Sequence, residues 1–168
     1  MISYVENEKK FNFRVGGIIT NEDEKKVLLH RLENFNFWLL PGGRVEILEG
    51  TETAIIREIK EELGIDVKSE KLMAITESFF EIKNITYHEV AFNYKLKLPK
   101  DSKILKINDE FAGIEGEKYR YKWFDRDLLK QLSIKPSYLV PVLQDMPKEL
   151  VHIIKDERVK EKEEEMER

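Results

Sequence analysis

The chain has 168 residues, of which 41% are hydrophobic and 37% are charged, with a formal net charge of −4 and no cysteine. The length and apolar content suit one globular domain with a hydrophobic core. Missing cysteine excludes disulfides, thiolate metal sites and cysteine nucleophiles. The negative net charge argues against a DNA- or RNA-binding surface, so DNA is not an expected partner.

No stretch of the sequence approaches the ~20 consecutive apolar residues of a membrane span, so no membrane association is expected. The N-terminal MISYVENEKK lacks the apolar core of a signal peptide. We therefore expect a soluble, cytoplasmic protein.

The first elements in chain order are two strands. Residues 11–20 and 26–32 are rich in aliphatic residues, and the polar turn at residues 21–24 between them predicts a hairpin. Residues 37–40 then lead into Pro41-Gly42-Gly43, where two glycines permit a tight turn and a close approach of the backbone to a ligand.

A helix is predicted for Thr51–Leu63, which contains helix formers without an internal glycine or proline. Thr51 is an acceptable N-cap, and Gly64 lies where a helix usually ends. The spacing places Glu58, Glu61 and Glu62 on one face, and it places an apolar stripe of Ile56, Ile59 and Leu63 beside that face. The helix can thus bury its aliphatic side and present carboxylates next to it.

These three carboxylates repel one another by a few tenths of a kcal/mol per like-charged pair. Hard divalent cations prefer oxygen ligands, so the cluster predicts a Mg2+ site, with Mn2+ as the alternative ion. The backbone of Gly42 is a further candidate ligand. A solvated acidic helix face is the competing interpretation, and the adjacent glycine turn favours the metal site over it.

Further elements follow the helix. Residues 71–82 and 86–98 predict a second hairpin, residues 103–107 a short strand, residues 108–117 a glycine-containing loop, and residues 119–124 another strand. Asp125 can cap a short helix that runs to Leu132, and a last helix is predicted at residues 137–144 after Pro136.

Strands around a central helix, with more helices at the end, predict an α+β fold. The sequence shows no composition break, so we expect one domain over residues 1–154. Residues 155–168 are almost wholly charged and are interpreted as a C-terminal extension that is a solvated helix or a frayed tail.

The most specific feature is the pattern G-x5-E-x7-R-E-U-x-E-E-x-G-U, where U is a bulky aliphatic, which is met at every position between Gly43 and Ile65. Its seven fixed identities should occur by chance about once in 10^8 starting points. The chain therefore resembles the Nudix hydrolase family. The resemblance implies an α/β/α sandwich with a mixed central sheet.

The resemblance also assigns roles within this segment, called the Nudix box below. Glu58, Glu61 and Glu62 would be metal ligands, and Glu49 and Arg57 would form a structural salt bridge. One departure from many members is Ile47-Leu48, where a proline or glycine turn is common, so the shape of this loop is not predicted.

The implied reaction is hydrolysis of a nucleoside diphosphate linked to another moiety X, through attack of water on a phosphorus of the diphosphate. Oxidised or noncanonical nucleoside triphosphates, ADP-ribose, dinucleoside polyphosphates, nucleotide sugars and capped RNA all remain candidate substrates. The alternative is a Nudix-fold module that binds or senses a nucleotide without hydrolysing it. A homodimer is compatible with the sequence, which does not determine the oligomeric state.

Residues outside the acidic cluster complete the hypothesis. Arg44 and Arg31 are candidates for binding substrate phosphates, and Phe80 is a candidate for stacking on a base; no catalytic role is expected for His88. For the general base we predict Glu117, in a glycine-containing loop that could close over substrate. Glu115 is the neighbouring alternative, and the box residues Glu58 and Glu61 are the next candidates.

Overall fold

The computed structural model describes residues 1–158, which form two β-sheets and a small number of helices. The strands are β1 Ser3–Glu6, β2 Lys9–Ile19, β3 Lys26–Leu32, β4 Gly42–Arg44, β5 Lys68–Ile82, β6 Ile85–Lys97, β7 Phe111–Gly113, β8 Gly116–Asp125 and β9 Val151–Asp156. The α-helices are α1 Thr51–Leu63 and α2 Val140–Asp145, and 3-10 helices occupy Lys103–Lys106, Arg126–Gln131 and Ser137–Leu139.

The larger sheet has six strands in the order β1-β2-β6-β5-β9, with β4 paired to β2 outside this path. Strands β2 and β6 are parallel, as are β5 and β9, whereas the other pairs in this sheet are antiparallel. The predicted mixed sheet is therefore confirmed. The smaller sheet has the order β3-β8-β7 and is antiparallel.

Helices cover both faces of the larger sheet. On one face, Ile55 and Ile59 of α1 pack in a core with Val15 of β2. On the opposite face, Leu139 and Leu143 pack in a second core with neighbouring strand residues such as Ile18. Because side chains alternate along a strand, β2 contributes to both cores. The predicted α+β sandwich is confirmed.

Helix α1 matches its predicted bounds, and its C-cap Gly64 has the expected left-handed conformation, with φ 71°. The predicted N-cap is wrong, because Gly50 holds that position without a side-chain cap. The hydroxyl of Thr51 instead lies 2.7 Å from the Tyr94 hydroxyl on β6. This contact ties the start of α1 to the sheet.

The first predicted hairpin is wrong. Strands β2 and β3 belong to different sheets, and the bridge between them is the single Thr20–Val27 pair. The backbone of β2 pairs with β1, β4 and β6 instead. The second hairpin, β5–β6, is confirmed, with Lys83 and Asn84 at positive φ in its turn.

Several smaller expectations also need correction. Lys103–Lys106 is a 3-10 helix and not a strand, and the predicted loop at residues 108–117 contains β7. Asp125 precedes a 3-10 helix but makes no side-chain cap. The last helix is present, with a 3-10 turn before Val140–Asp145 and Pro141 near its N-terminus, as allowed by the position of this proline.

Strands β1 and β9 were not predicted. Strand β9 includes Lys155 and Asp156, which the sequence assigned to the charged extension, and residues 159–168 of that extension lie outside the described residues. Among the helices of the described part, none is both long and apolar enough to cross a membrane.

Candidate metal-dependent hydrolase site

The glycine strand β4 places the backbone of the chain against the acidic face of α1. Gly42 pairs with Gly16 of β2 and has φ 141°, and a Cβ there would lie 2.3 Å from the Val15 carbonyl oxygen. A Cβ at Gly43 would lie 2.3 Å from Glu58 Oε2. Gly42 is thus needed for this close approach, because a side chain there would meet backbone at a positive φ, whereas a side chain at Gly43 would displace the carboxylate of Glu58.

The three helix glutamates differ in burial. Glu62 is 5% exposed, the side chain of Glu58 is 16% exposed, and that of Glu61 is 53% exposed. Burial raises the pKa of Glu62 to about 8; the nearby carboxylates add to this rise, and the backbone amide of Gly42 opposes it. Burial also raises the pKa of Glu58, against the effect of Arg57.

Arg57 connects the box carboxylates to each other. Its Nε and one terminal nitrogen donate to the two oxygens of Glu49 at 2.7 and 2.9 Å, and the same terminal nitrogen donates to the Arg44 carbonyl at 3.2 Å. Its other terminal nitrogen donates to Glu58 at 2.9 Å and to Glu61 at 3.3 Å. The Glu49–Arg57 pair expected from the resemblance is therefore present as a bidentate fork.

His30 and Tyr121 enclose Glu62 from the side of the smaller sheet. His30 Nδ1 lies 3.9 Å from Glu62 Oε1, and both residues are buried. Burial lowers the pKa of His30 to about 4, with the charge of Arg14 adding to the effect. Burial and the Glu62 carboxylate raise the pKa of Tyr121. Sequence reasoning missed both residues, which carry no motif.

The donor set fits a hard divalent cation in part. Glu62 Oε2 is buried without a hydrogen-bond partner, and a cation would satisfy this oxygen and offset the burial of two carboxylates. Within residues 1–158, however, no three acidic or histidine side chains converge closely enough to form a metal-binding group. Arg57 holds oxygens of Glu58 and Glu61 that such an ion would need.

The β7–β8 turn packs on the C-terminal end of α1 and brings another acid to the site. Ile114 N–H donates to the Glu62 carbonyl at 2.9 Å. Glu115, the next residue, is exposed and close enough to raise the pKa of both Glu62 and Tyr121. Glu117 lies further along, forms an ion pair with Arg120 and has 76% of its side chain exposed. Glu115 thus lies in the turn that contacts the end of α1, whereas Glu117 is paired with Arg120.

The two arginines predicted to bind substrate phosphates, Arg31 and Arg44, have different contacts in the structure. Arg31 donates to Glu110 at 3.1 Å and to two backbone carbonyls, and it lies over the Trp38 ring. Arg44 contacts Met1 Sδ at 3.9 Å. Arg14 on β2, which was not predicted, is close enough to lower the pKa of Glu58 and of His30. The sequence feature that could have identified Arg14 is a charged residue between Phe13 and Val15 in an apolar strand.

A polar cleft lies beside Arg14 on the face of the larger sheet that carries α2. Its floor contains Arg14, Thr76, Glu89 and Asn93, and its walls are Leu39, Leu40, Pro136 and Leu139. Thr76 and Asn93 are buried, and Arg14 lies 4.0 Å from Glu89. The cleft therefore combines apolar walls with amide, hydroxyl and charged groups.

Phe80 lies on the same face as the polar cleft, further along the β5–β6 hairpin. It pairs with Tyr87, and the two rings are stacked with centroids 5.0 Å apart. Residues two apart on a strand share a face, so this stack continues the row that contains Ser78 and Glu89. Its partner ring occupies one side of Phe80.

A NUDIX domain model matches residues 10–145. The chain belongs to the Nudix family.

Three relatives match shorter segments. A "MutT-like protein" of Streptomyces ambofaciens is 35% identical over 83 residues, which are 49% of each chain. An "ADP-ribose pyrophosphatase" of Methanocaldococcus jannaschii is 43% identical over 67 residues, which are 38% of each chain. An "8-oxo-dGTP diphosphatase" of Proteus vulgaris is 32% identical over 82 residues, covering 48% of this chain and 73% of that protein. The matches to the first two relatives thus span half of their length or less.

Solved structures support the same fold. The MutT protein from Bacillus halodurans superposes with a TM-score of 0.65 at 19% identity, covering 86% of this chain and 89% of that chain. A UDP-X diphosphatase superposes with a TM-score of 0.55 at 21% identity, covering 89% and 69%. At these identities the likeness concerns the fold alone. Nudix hydrolases generally use divalent metals. The names of three of these proteins refer to different nucleotide derivatives, namely ADP-ribose, 8-oxo-dGTP and UDP-X.

Proposed function

We propose that this Nudix family member is a Mg2+-dependent hydrolase, active also with Mn2+, that cleaves a phosphoanhydride bond in a nucleoside diphosphate linked to another moiety X. The observation that carries the proposal is the intact box, in which the buried Glu62 and the half-buried Glu58 lie against Gly42 and Gly43. Buried carboxylates without a balancing cation are unfavourable, so this arrangement suits a site completed by a metal.

Glu58, Glu61 and Glu62 would hold the ion, together with the backbone of Gly42. When bound, a divalent cation neutralises phosphate oxygens and lowers the pKa of a bound water. Arg57 keeps Glu58 and Glu61 on the same side of the helix and holds the carboxylate of Glu49. Its role is to position the acids.

The attacking water needs a group that accepts its proton. Glu115 is the stronger candidate, because it is exposed, follows Ile114 in the turn that packs on α1, and carries a charge that helps to raise the pKa of Glu62. Glu117 remains the alternative within the same loop, and Glu58 or Glu61 would serve if neither loop acid does.

The part of the substrate beyond the phosphates is proposed to enter the polar cleft. Arg14 lines the cleft, and its charge also lowers the pKa of Glu58 in the box, which supports a role for Arg14 in contacting a substrate phosphate. The cleft volume of about 80 Å³ is below the roughly 300–1,000 Å³ of ligand pockets. It therefore suits one ring or sugar of the substrate rather than a whole nucleotide.

A release assay tests the activity and the substrate together. The protein is incubated with nucleoside triphosphates, oxidised nucleotides, ADP-ribose, nucleotide sugars, dinucleoside polyphosphates and capped RNA, with Mg2+ or Mn2+. At least one substrate should be hydrolysed, and both a chelator and Glu62→Gln should abolish the release. Tight nucleotide binding without hydrolysis of any substrate would favour the silent binding module. The sequence gives no support to that alternative, because every residue of the box is present.

A further inference from the structure

The imidazole of His30 is fixed behind Glu62 and cannot turn towards water. His30 is 4% exposed, and its ring lies between Tyr119 and Tyr121, with centroid distances of 5.5 and 5.4 Å. Its backbone is held by two hydrogen bonds with Leu39, at 2.9 and 2.8 Å. The ring therefore has a defined position next to the box helix.

Three unpartnered polar groups meet at this point, the third being the hydroxyl of Tyr121, whose pKa the neighbouring Glu62 helps to raise. His30 Nδ1 is buried without a hydrogen-bond partner, as is Glu62 Oε2, and Nδ1 lies 3.9 Å from Glu62 Oε1. Buried polar atoms nearly always have partners, so a purely structural histidine leaves this pair unexplained. A movement of roughly 1 Å would bring Nδ1 and Oε1 to hydrogen-bonding distance.

We propose that His30 is a positioning residue for Glu62, donating a hydrogen bond from Nδ1–H to Oε1 and leaving Oε2 available to ligate the divalent cation. The inference rests on the proposed function, because it takes Glu62 as a metal ligand. Groups that hydrogen-bond a ligating side chain fix its orientation, and their loss typically weakens metal binding 10- to 100-fold.

His88 provides a control for the loss of an imidazole that packs between aromatic rings, although the residue is half-buried whereas His30 is buried. Its ring lies between Phe79 and Phe11, with centroid distances of 4.5 and 5.2 Å, and its Nε2 is also buried and unpartnered. Within the described residues, His88 makes no ion pair, whereas His30 faces Glu62. The two histidines thus differ in burial and in the carboxylate that lies beside His30.

The test measures Mn2+ affinity of the substrate-free protein by calorimetry or electron paramagnetic resonance, with thermal unfolding in chelator as a separate readout. The substitution His30→Leu should weaken Mn2+ binding by about 10-fold or more. His30→Asn retains a nitrogen near the position of Nδ1 and should recover most of the affinity. His88→Leu should bind Mn2+ like the wild type.

The metal concentration for half-maximal hydrolysis should rise for His30→Leu in the same proportion, with kcat recovered at saturating metal. Wild-type Mn2+ affinity in His30→Leu would overturn the inference. His30→Gln is the comparison for His30→Asn, because its amide lies nearer to the position of Nε2. Equal losses of Mn2+ affinity in these two variants would also overturn the inference. That comparison also decides the question if His30→Leu fails to fold. Absence of Mn2+ binding by the wild type would instead refute the proposed function itself.

Discussion

Arg57 is expected to stabilise the fold and the site together, and Arg57→Ala tests this directly. The side chain is 24% exposed, and it donates to both oxygens of Glu49, whose side chain is 13% exposed. It also donates to Glu58 and to the Arg44 carbonyl. Four partly buried hydrogen bonds therefore depend on one guanidinium.

The expected loss follows from these contacts. Hydrogen bonds to charged groups contribute about 1.5–3 kcal/mol each, but members of one network are not additive, and Glu49 can regain water after the change. We therefore expect a loss of about 3 kcal/mol of unfolding free energy. For a domain of this size that corresponds to a decrease of roughly 6–12 °C in Tm. Arg57→Lys should recover part of it, since lysine keeps the charge without the planar fork.

Urea unfolding of wild type, Arg57→Ala, Glu49→Gln and the double variant gives the coupling energy of the pair. We expect about 1–2 kcal/mol, and the kcat of Arg57→Ala should fall because the box glutamates lose their common anchor. The reasoning would be refuted by an unchanged unfolding free energy, a coupling near zero and an increase in KM alone. Those results would make Arg57 a direct phosphate contact.

Three other substitutions probe the acidic site. Gly43→Ala places a Cβ against the carboxylate of Glu58 and should reduce Mn2+ affinity by about 10-fold. Gly50→Ala is the control, because its Cβ would have its nearest contact at 4.0 Å, and it should leave Mn2+ affinity unchanged. Calorimetry measures the affinity of both variants. Burial raises the pKa of Glu62 to about 8, so keeping this carboxyl buried lowers stability at neutral pH, and Glu62→Gln removes that cost. Unfolding of Glu62→Gln in chelator should therefore require at least as much urea as wild type, while hydrolysis is lost; a strongly destabilised variant would contradict this. Glu115→Gln should lose most of kcat and Glu117→Gln little, and the reverse order in a steady-state assay would restore Glu117 as the base.

Helix α1 could be predicted because its signals are local. The helix formers between Gly50 and Gly64 need only each other, and Gly64 takes the left-handed conformation that ends a helix. The N-cap could not be predicted, because Thr51 is drawn to the Tyr94 hydroxyl across the core. Gly50 and Thr51 are both acceptable N-caps, and the contact of Thr51 with Tyr94 leaves Gly50 in the N-cap position.

Strand pairing was predicted only where the partners are close in sequence. The β5–β6 hairpin closes through a two-residue turn at Lys83 and Asn84, whose positive φ suits such a connection. Strand β2 instead pairs in parallel with β6, far along the chain. Alternating hydrophobicity identifies a strand but not its neighbour, so the expected β2–β3 hairpin was wrong.

The box was visible in the sequence, but the residues around it were not. Glu58 and Glu62 are recognisable from spacing alone, whereas His30 and Tyr121 reach Glu62 only because β3 and β8 pair beside the box helix. Glu115 joins them through the turn that packs on the end of α1. Each of these contacts depends on the arrangement of the smaller sheet, for which no local pattern exists.

Strand β2 links the two parts of the proposed site. Its pairing with β4 sets Gly42 and Gly43 against the acidic helix, and Arg14 on the same strand lines the polar cleft. A substrate with phosphates at the box and its remaining part in the cleft would pass Arg14. We therefore expect selectivity among nucleotide derivatives to depend on Arg14 and the cleft, which lie outside the box, and this is why the box alone cannot rank the substrates.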